Sequence, residues 1–155
     1  MKNGYHGKVL FVDLTTASLK IEEPPDSIYR KYMGGSALNL HYILKTMPAD
    51  VDPLSPENVM VFSVGVTTGA QISGQSRLCV NAKSPLTDAI GDSQCGGTFP
   101  VKFKWAGFDA VVVNGKAEDP VYLLIENGKA EIRNASHLWG KITGEVETQV
   151  RKELD

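Results

Sequence analysis

Few residues in this chain are of types that could do chemistry, and most of them fall between Thr68 and Phe99, TGAQISGQSRLCVNAKSPLTDAIGDSQCGGTF. This stretch holds five Gly, both cysteines and Arg77, the only Arg between Arg30 and Arg133. A guanidinium fork suits a phosphate or a carboxylate, although pattern alone fits a solvated surface Arg better. Gly96-Gly97-Thr98 before a helix start would offer free backbone N–H groups to an anion, and a Gly pair is equally a plain turn. There is no GxGxxG after a strand and no GxxxxGKS, so this is not a standard nucleotide loop. Cys79 and Cys95 lack CxxC spacing and read as incidental thiols. His6, His41 and His137 are scattered, and no metal-ligand spacing results. Asp88 and Asp92 read as turn residues, and Lys83 as part of a solvated loop.

The elements that must position these residues follow from periodicity and punctuation. Lys8 to Leu14 reads as a strand and Leu19 to Glu22 as its hairpin partner. Asp26 or Ser27 is expected to cap a short helix ending at Gly34-Gly35, and Ser36 to cap the next. In that second helix Ala37, Leu40, Leu44 and Met47 fall on one face, with Ile43 beside it. Val59 to Val64 is a buried strand. Leu78, Val80 and Ala82 alternate with Arg77, Cys79 and Asn81, so one face of a strand meets the core and the other presents the polar set. A helix is expected over Phe99 to Ala106, with Thr98 as cap and Gly107 beyond its end. Trp105 and Phe108 look like core edges. Ala110 to Val113 is a buried strand, and Asn127-Gly128 joins Pro120–Ile125 to Lys129–Arg133 in a hairpin. Thr143 to Leu154 is a last amphipathic helix. Strand, turn, strand, helix occurs at Lys8–Met33 and again at Val121–Leu154, a pattern that suits an internal repeat and suits a common motif equally well.

Composition excludes several classes. The 155 residues suit one domain with a real core. A net charge of -2 gives no reason to expect nucleic acid or an anionic membrane as partner. No apolar run approaches the roughly 20 residues of a membrane span, and the start does not read as a signal peptide. Two cysteines are too few for a disulfide framework or for an iron–sulfur cluster held within the chain. A cytoplasmic setting is the expectation.

Taken together, GKVLFVDLTT, DPLSPEN, the strand with TTG, SR…KSPLT, SQCGGTF, KFKWAGFDAVVVNGKAEDPVYL and HLWGK resemble the N-terminal domain of the aldehyde ferredoxin oxidoreductase family. The resemblance runs through nearly the whole chain, in order. It implies an α+β fold of mixed, largely antiparallel sheets with a few helices, built from two intertwined repeats. The second repeat would then be incomplete, making residues 1–155 a truncated N-terminal cofactor-binding domain. The family carries tungsten, or molybdenum, on two pterin dithiolenes beside a [4Fe–4S] cluster. It oxidises aldehydes to carboxylic acids with ferredoxin as acceptor. The match puts Arg77 on a pterin-contacting Arg and Gly96 on a glycine whose backbone approaches the cofactor. Gln94 falls where some members have an Asn, a departure that keeps an amide. Ser36 follows Gly34-Gly35, where members often have a basic residue nearby. No catalytic residue or metal ligand maps to this chain, and the cluster cysteines lie in later domains. The isolated chain is expected to be inactive. The alternatives are a non-catalytic short relative that acts as a scaffold or partner-binding module, with a homodimer covering its exposed edges, and an unrelated phosphate- or nucleotide-binding module.

Overall fold

A computed structural model describes residues 4–154. Twelve elements follow in order: β1 (Val9–Asp13), β2 (Ser18–Glu22), α1 (Asp26–Tyr32), α2 (Gly35–Thr46), β3 (Met60–Val64), β4 (Leu78–Lys83), β5 (Ile90–Cys95), α3 (Phe99–Trp105), β6 (Ala110–Asn114), β7 (Val121–Glu126), β8 (Lys129–Asn134) and α4 (Thr143–Leu154). The fold is α+β. A six-stranded sheet has the order β2-β1-β6-β3-β4-β5, with β1 and β6 parallel and every other pair antiparallel. The β7–β8 hairpin is a separate two-stranded sheet. Its Asn127 and Gly128 have φ of 50° and 76°, as a type I′ turn requires.

The alternation of strand side chains builds two cores. On one face Val9, Val61, Ala110 and Val112 meet Tyr29 of α1 and Leu38, Tyr42 and Ile43 of α2. On the other Leu10, Val12, Val111 and Phe108 meet partly buried Phe62, Phe103, Leu123, Ile125 and Ile132, so the hairpin covers that face. Each large buried side chain contributes about 1.5–3 kcal/mol. The N-terminal segment is held by the buried Asp109 carboxylate. It accepts from the backbone N–H of His6, Gly7 and Lys8 at 3.0, 2.8 and 3.3 Å and from Lys104 Nζ at 2.7 Å.

Several expectations change. The buried face of α2 is Leu38, Asn39, Tyr42 and Ile43, whereas Leu40 and Leu44 are exposed. The expected stripe is offset by roughly one residue's rotation, because it assumed that only apolar residues would turn inward. Ile90–Cys95 is a strand rather than a turn, so Asp92 lies in a strand while Asp88 is indeed a turn residue with φ of 58°. No side chain caps α1, α2 or α3; Pro25, Gly34 and Thr98 occupy the cap positions. Lys83 is not a solvated loop residue: its Nζ donates to the Val51 carbonyl at 2.8 Å and pairs with Asp88 at 2.9 Å. Phe108 is fully buried, but Trp105 is exposed. The strand, strand, helix order of β1–β2–α1 does recur in β7–β8–α4, and α4 has no buried residue.

Candidate functional site

One end of the large sheet gathers the last residues of β3 and β5 and the first of β4. The N-terminus of α2 lies across it. The register places side chains there in lateral rows on the α2 side, since directly paired residues of antiparallel strands share a face. The inner row is Val61, Asn81 and Asp92. The next is Ser63, Cys79 and Gln94. Continuing the β4–β5 register one step beyond Leu78 and Cys95 sets Arg77 beside Gly96. A Cβ on Gly96 would stand 3.5 Å from the Ser76 carbonyl, and Ser76 Oγ donates to the Gly97 carbonyl at 2.8 Å.

The first turn of α2 rests on these rows because its residues are small. Gly34 has φ of 90°, and a Cβ there would come 2.3 Å from the Val64 carbonyl oxygen. A Cβ on Gly35 already touches Cys79 Sγ, at 3.4 Å. Ser63 Oγ donates to the Gly35 carbonyl at 2.9 Å. Ser36 Oγ donates to Asp92 Oδ1 at 2.9 Å, and Gln94 Nε2 donates to Asp92 Oδ2 at 3.3 Å. The Asp92 carboxylate therefore links helix and strand.

Arg77, Gln94 and Gly96 thus come together on one face of the β4–β5 end. The Arg77 side chain is exposed, and among the described residues its guanidinium has no hydrogen-bond or ion-pair partner; only its carbonyl accepts, from Thr68 Oγ1 at 3.3 Å. Gln94 is exposed and Gly96 is backbone only. Gly97 has φ of 82° with no atom within 4 Å of where a Cβ would stand. Cys79 and Asn81 share the Arg77 face but are buried under α2, so the polar set expected to face outward is split. Cys95 is exposed on the opposite face. The expected anion site at Thr98 gains nothing from α3, which is seven residues long and uncapped by that side chain.

The remaining candidates stay apart. His6 Nε2 lies 2.8 Å from the Lys104 carbonyl. His41 stacks on Tyr32, and burial, then Lys45 and Lys31, push its pKa down. His137 meets Glu153 at 2.8 Å. Among the described residues no three His, Cys, Asp or Glu side chains converge as metal ligands do.

Charge is separated along this face. Asp92 pairs with Asn81, four residues from Arg77, so about 13 Å of strand separates the carboxylate from the cation. The positive end is at Arg77, Gly96 and Gly97, where no Cβ covers the two glycines' backbone. The uncapped start of the 12-residue α2 adds a positive dipole end nearby. Sequence reasoning put Asn81 on the Arg77 face but missed Asn39, and it read Asp92 as a turn residue rather than as part of a strand.

Residues 9–155 match the family described as aldehyde ferredoxin oxidoreductase, N-terminal domain. The chain is 43% identical to a tungsten-containing aldehyde ferredoxin oxidoreductase of Pyrococcus furiosus over 151 residues, 97% of this chain and 25% of that protein. It is 40% identical to the protein of the same name from Pyrococcus abyssi, with the same coverage. Among solved structures, a chain of the active-site complex BamBC of benzoyl coenzyme A reductase, in complex with 1,5-dienoyl-CoA, superposes with a TM-score of 0.94 at 37% identity. The match covers 98% of this chain and 23% of that one. The chain therefore spans about a quarter of the length of the relatives it matches.

Proposed function

Because the chain belongs to the aldehyde ferredoxin oxidoreductase N-terminal domain family, we propose that it grips the cofactor of a tungstopterin oxidoreductase that converts aldehydes to carboxylic acids. The observation that carries this reading is the unpartnered Arg77 guanidinium beside open glycine backbone. In the reaction an aldehyde and water give a carboxylic acid, two protons and two electrons. When bound, the tungsten or molybdenum bis-pterin would supply the two-electron redox chemistry, with a [4Fe–4S] cluster ligated outside this chain and ferredoxin as the electron acceptor. Arg77 would hold an anionic or carbonyl edge of the pterin through its fork. Gly96, without a Cβ, would leave its backbone open to the ring. The Gln94 amide donates to Asp92, and it would have to turn from that carboxylate to meet the same edge. None of these residues touches the aldehyde; they bind and orient.

In this reading residues 1–155 form an N-terminal cofactor-binding domain in a cytoplasmic enzyme, and the second glycine-rich segment, the cluster and the substrate residues lie in further sequence. The 25% share of the relatives supports that arrangement.

A second reading has one observation behind it: the fold recurs at a TM-score of 0.94 in a protein named for benzoyl coenzyme A reduction. The test is the protein expressed from its complete reading frame in a host that makes the cofactor. Tungsten, pterin, aldehyde-dependent dye reduction and dienoyl-CoA turnover are then measured, alongside the isolated chain. The first reading expects tungsten with aldehyde activity in the complete protein and neither in the isolated chain. Dienoyl-CoA turnover without aldehyde oxidation favours the second. A complete protein with no tungsten and neither activity leaves the scaffold.

A further inference from the structure

Beneath α2 lie two amides, Asn39 and Asn81, exposed by 0% and 2%. Burying such groups without partners costs about 1–3 kcal/mol each. Here they form a relay. Asn39 Nδ2 donates to the Cys79 carbonyl at 3.0 Å and to Asn81 Oδ1 at 2.8 Å. Asn81 Nδ2 donates to the Gly91 carbonyl at 3.0 Å. Asn39 Oδ1 is buried with no hydrogen-bond partner among the described residues. An apolar residue would avoid that cost, and α2 already supplies Leu38, Tyr42 and Ile43 on the same side.

The three elements joined by the relay are those that carry the cofactor face. Side chains three and four apart on a helix are neighbours, so Asn39 sits one turn beyond Gly35 and Ser36. Asn81 shares the face of Arg77 four residues earlier in the chain, and Gly91 is the second residue of β5, which ends in Gln94 and Cys95 and leads into Gly96. The β4–β5 ladder fixes the strands against each other. Apolar packing is non-directional and leaves a helix free to slide or roll on a sheet. Three directional contacts restrict those motions: Ser63 pins the first turn of α2 to β3, Ser36 pins it to Asp92 of β5, and Asn39 pins the second turn to β4 and, through Asn81, to β5.

We propose that Asn39, acting through Asn81, is a positioning residue that sets the α2 N-terminus against Arg77 and Gln94–Gly96 for cofactor binding. This rests on the cofactor reading of that face. The test compares Asn39→Leu and the double variant Asn39→Leu/Asn81→Leu, in the 155-residue chain and in the protein from the complete reading frame. Losing one partner leaves a buried amide stranded, whereas replacing both with apolar groups is nearly neutral. The single variant therefore loses thermal stability and the double regains it. Amide hydrogen exchange at residues 39–43, the first hydrogen-bonded amides of α2, stays about tenfold faster in the double variant while that of β4 does not change. Its tungsten and pterin content stays below half of wild type.

A double variant with wild-type exchange and wild-type cofactor content overturns the proposal. So does one that fails to regain stability, which makes the relay a requirement of folding instead. Arg77→Ala separates the two layers. If it leaves cofactor content unchanged, the cofactor reading fails. If it lowers content while the double variant does not, only the positioning role fails.

Discussion

Replacing Gly34 with Ala tests how closely the α2 N-terminus must approach the sheet. Gly34 has φ of 90° and ψ of -170°, a region that is essentially glycine's own. Holding another residue there costs about 1–3 kcal/mol. The new Cβ would also sit 2.3 Å from the Val64 carbonyl oxygen and 3.0 Å from Gly65 Cα, both backbone atoms that cannot rotate away. Reaching ordinary contact at 3.4 Å means withdrawing the helix start by about 1 Å. That shift stretches the Ser63–Gly35 hydrogen bond and loosens Leu38. The sum is about 4 kcal/mol. For a chain of this size it lowers Tm by about 8–16 °C. Gly140→Ala is the control, because Gly140 also has positive φ, 79°, but open space around it. Its strain of about 1 kcal/mol lowers Tm by about 2–4 °C. Thermal unfolding followed by circular dichroism reads both. Equal shifts for the two variants would refute the close approach, because conformational strain alone would then account for Gly34.

Further outcomes concern the buried charges and phenols. Lys104→Met strands the Asp109 carboxylate and is expected to cost about 3–5 kcal/mol in urea unfolding. Lys20→Met, which breaks only the exposed pair with Glu22, changes stability by less than about 1 kcal/mol, and a similar small loss for Lys104→Met would count against the buried clamp. Burial, with Glu22 and Asp109 adding, raises the Tyr42 pKa to about 12, and burial with Asp109 raises that of Tyr29 further. The folded state then keeps protons that the unfolded chain has lost, so stability falls as pH rises from about 10 toward 12. Tyr42→Phe flattens part of that decline, and a wild-type alkaline slope in the variant would argue against the buried phenol. Burial and nearby lysines lower the His41 pKa, so its contribution is present above pH 6.5 and lost on acidification. His41→Gln shallows the stability loss below that pH, and an unchanged acid limb would rule His41 out as its source.

The central strands were legible because they are buried on both faces: Val61–Val64 and Ala110–Val113 are nearly continuous apolar runs. The β7–β8 turn was legible because Asn127-Gly128 has one strong conformational meaning. β5 was not, since an edge strand with Asp92, Ser93 and Gln94 exposed carries no apolar alternation. The inward face of α2 was misread for a related reason. Leu40 and Leu44 make as good a stripe as Leu38 and Tyr42, and contacts with distant strands, such as Leu38 with the sheet and Asn39 with Asn81 across 42 residues, decide which faces in. Those long-range contacts have no local signature. Arg77 and Gly96 were legible as types, but their adjacency comes from pairing with a strand that the pattern hid.

Cofactor content of Arg77→Ala, in the protein expressed from its complete reading frame, tests the account most directly. The Arg77 side chain has no partner among the described residues, so the isolated chain should unfold within about 0.5 kcal/mol of wild type. The complete protein should nonetheless lose most of its tungsten and pterin, measured by elemental analysis and by fluorescence of the oxidised pterin. Full retention of both, with stability unchanged, would contradict the assignment of this face to the cofactor.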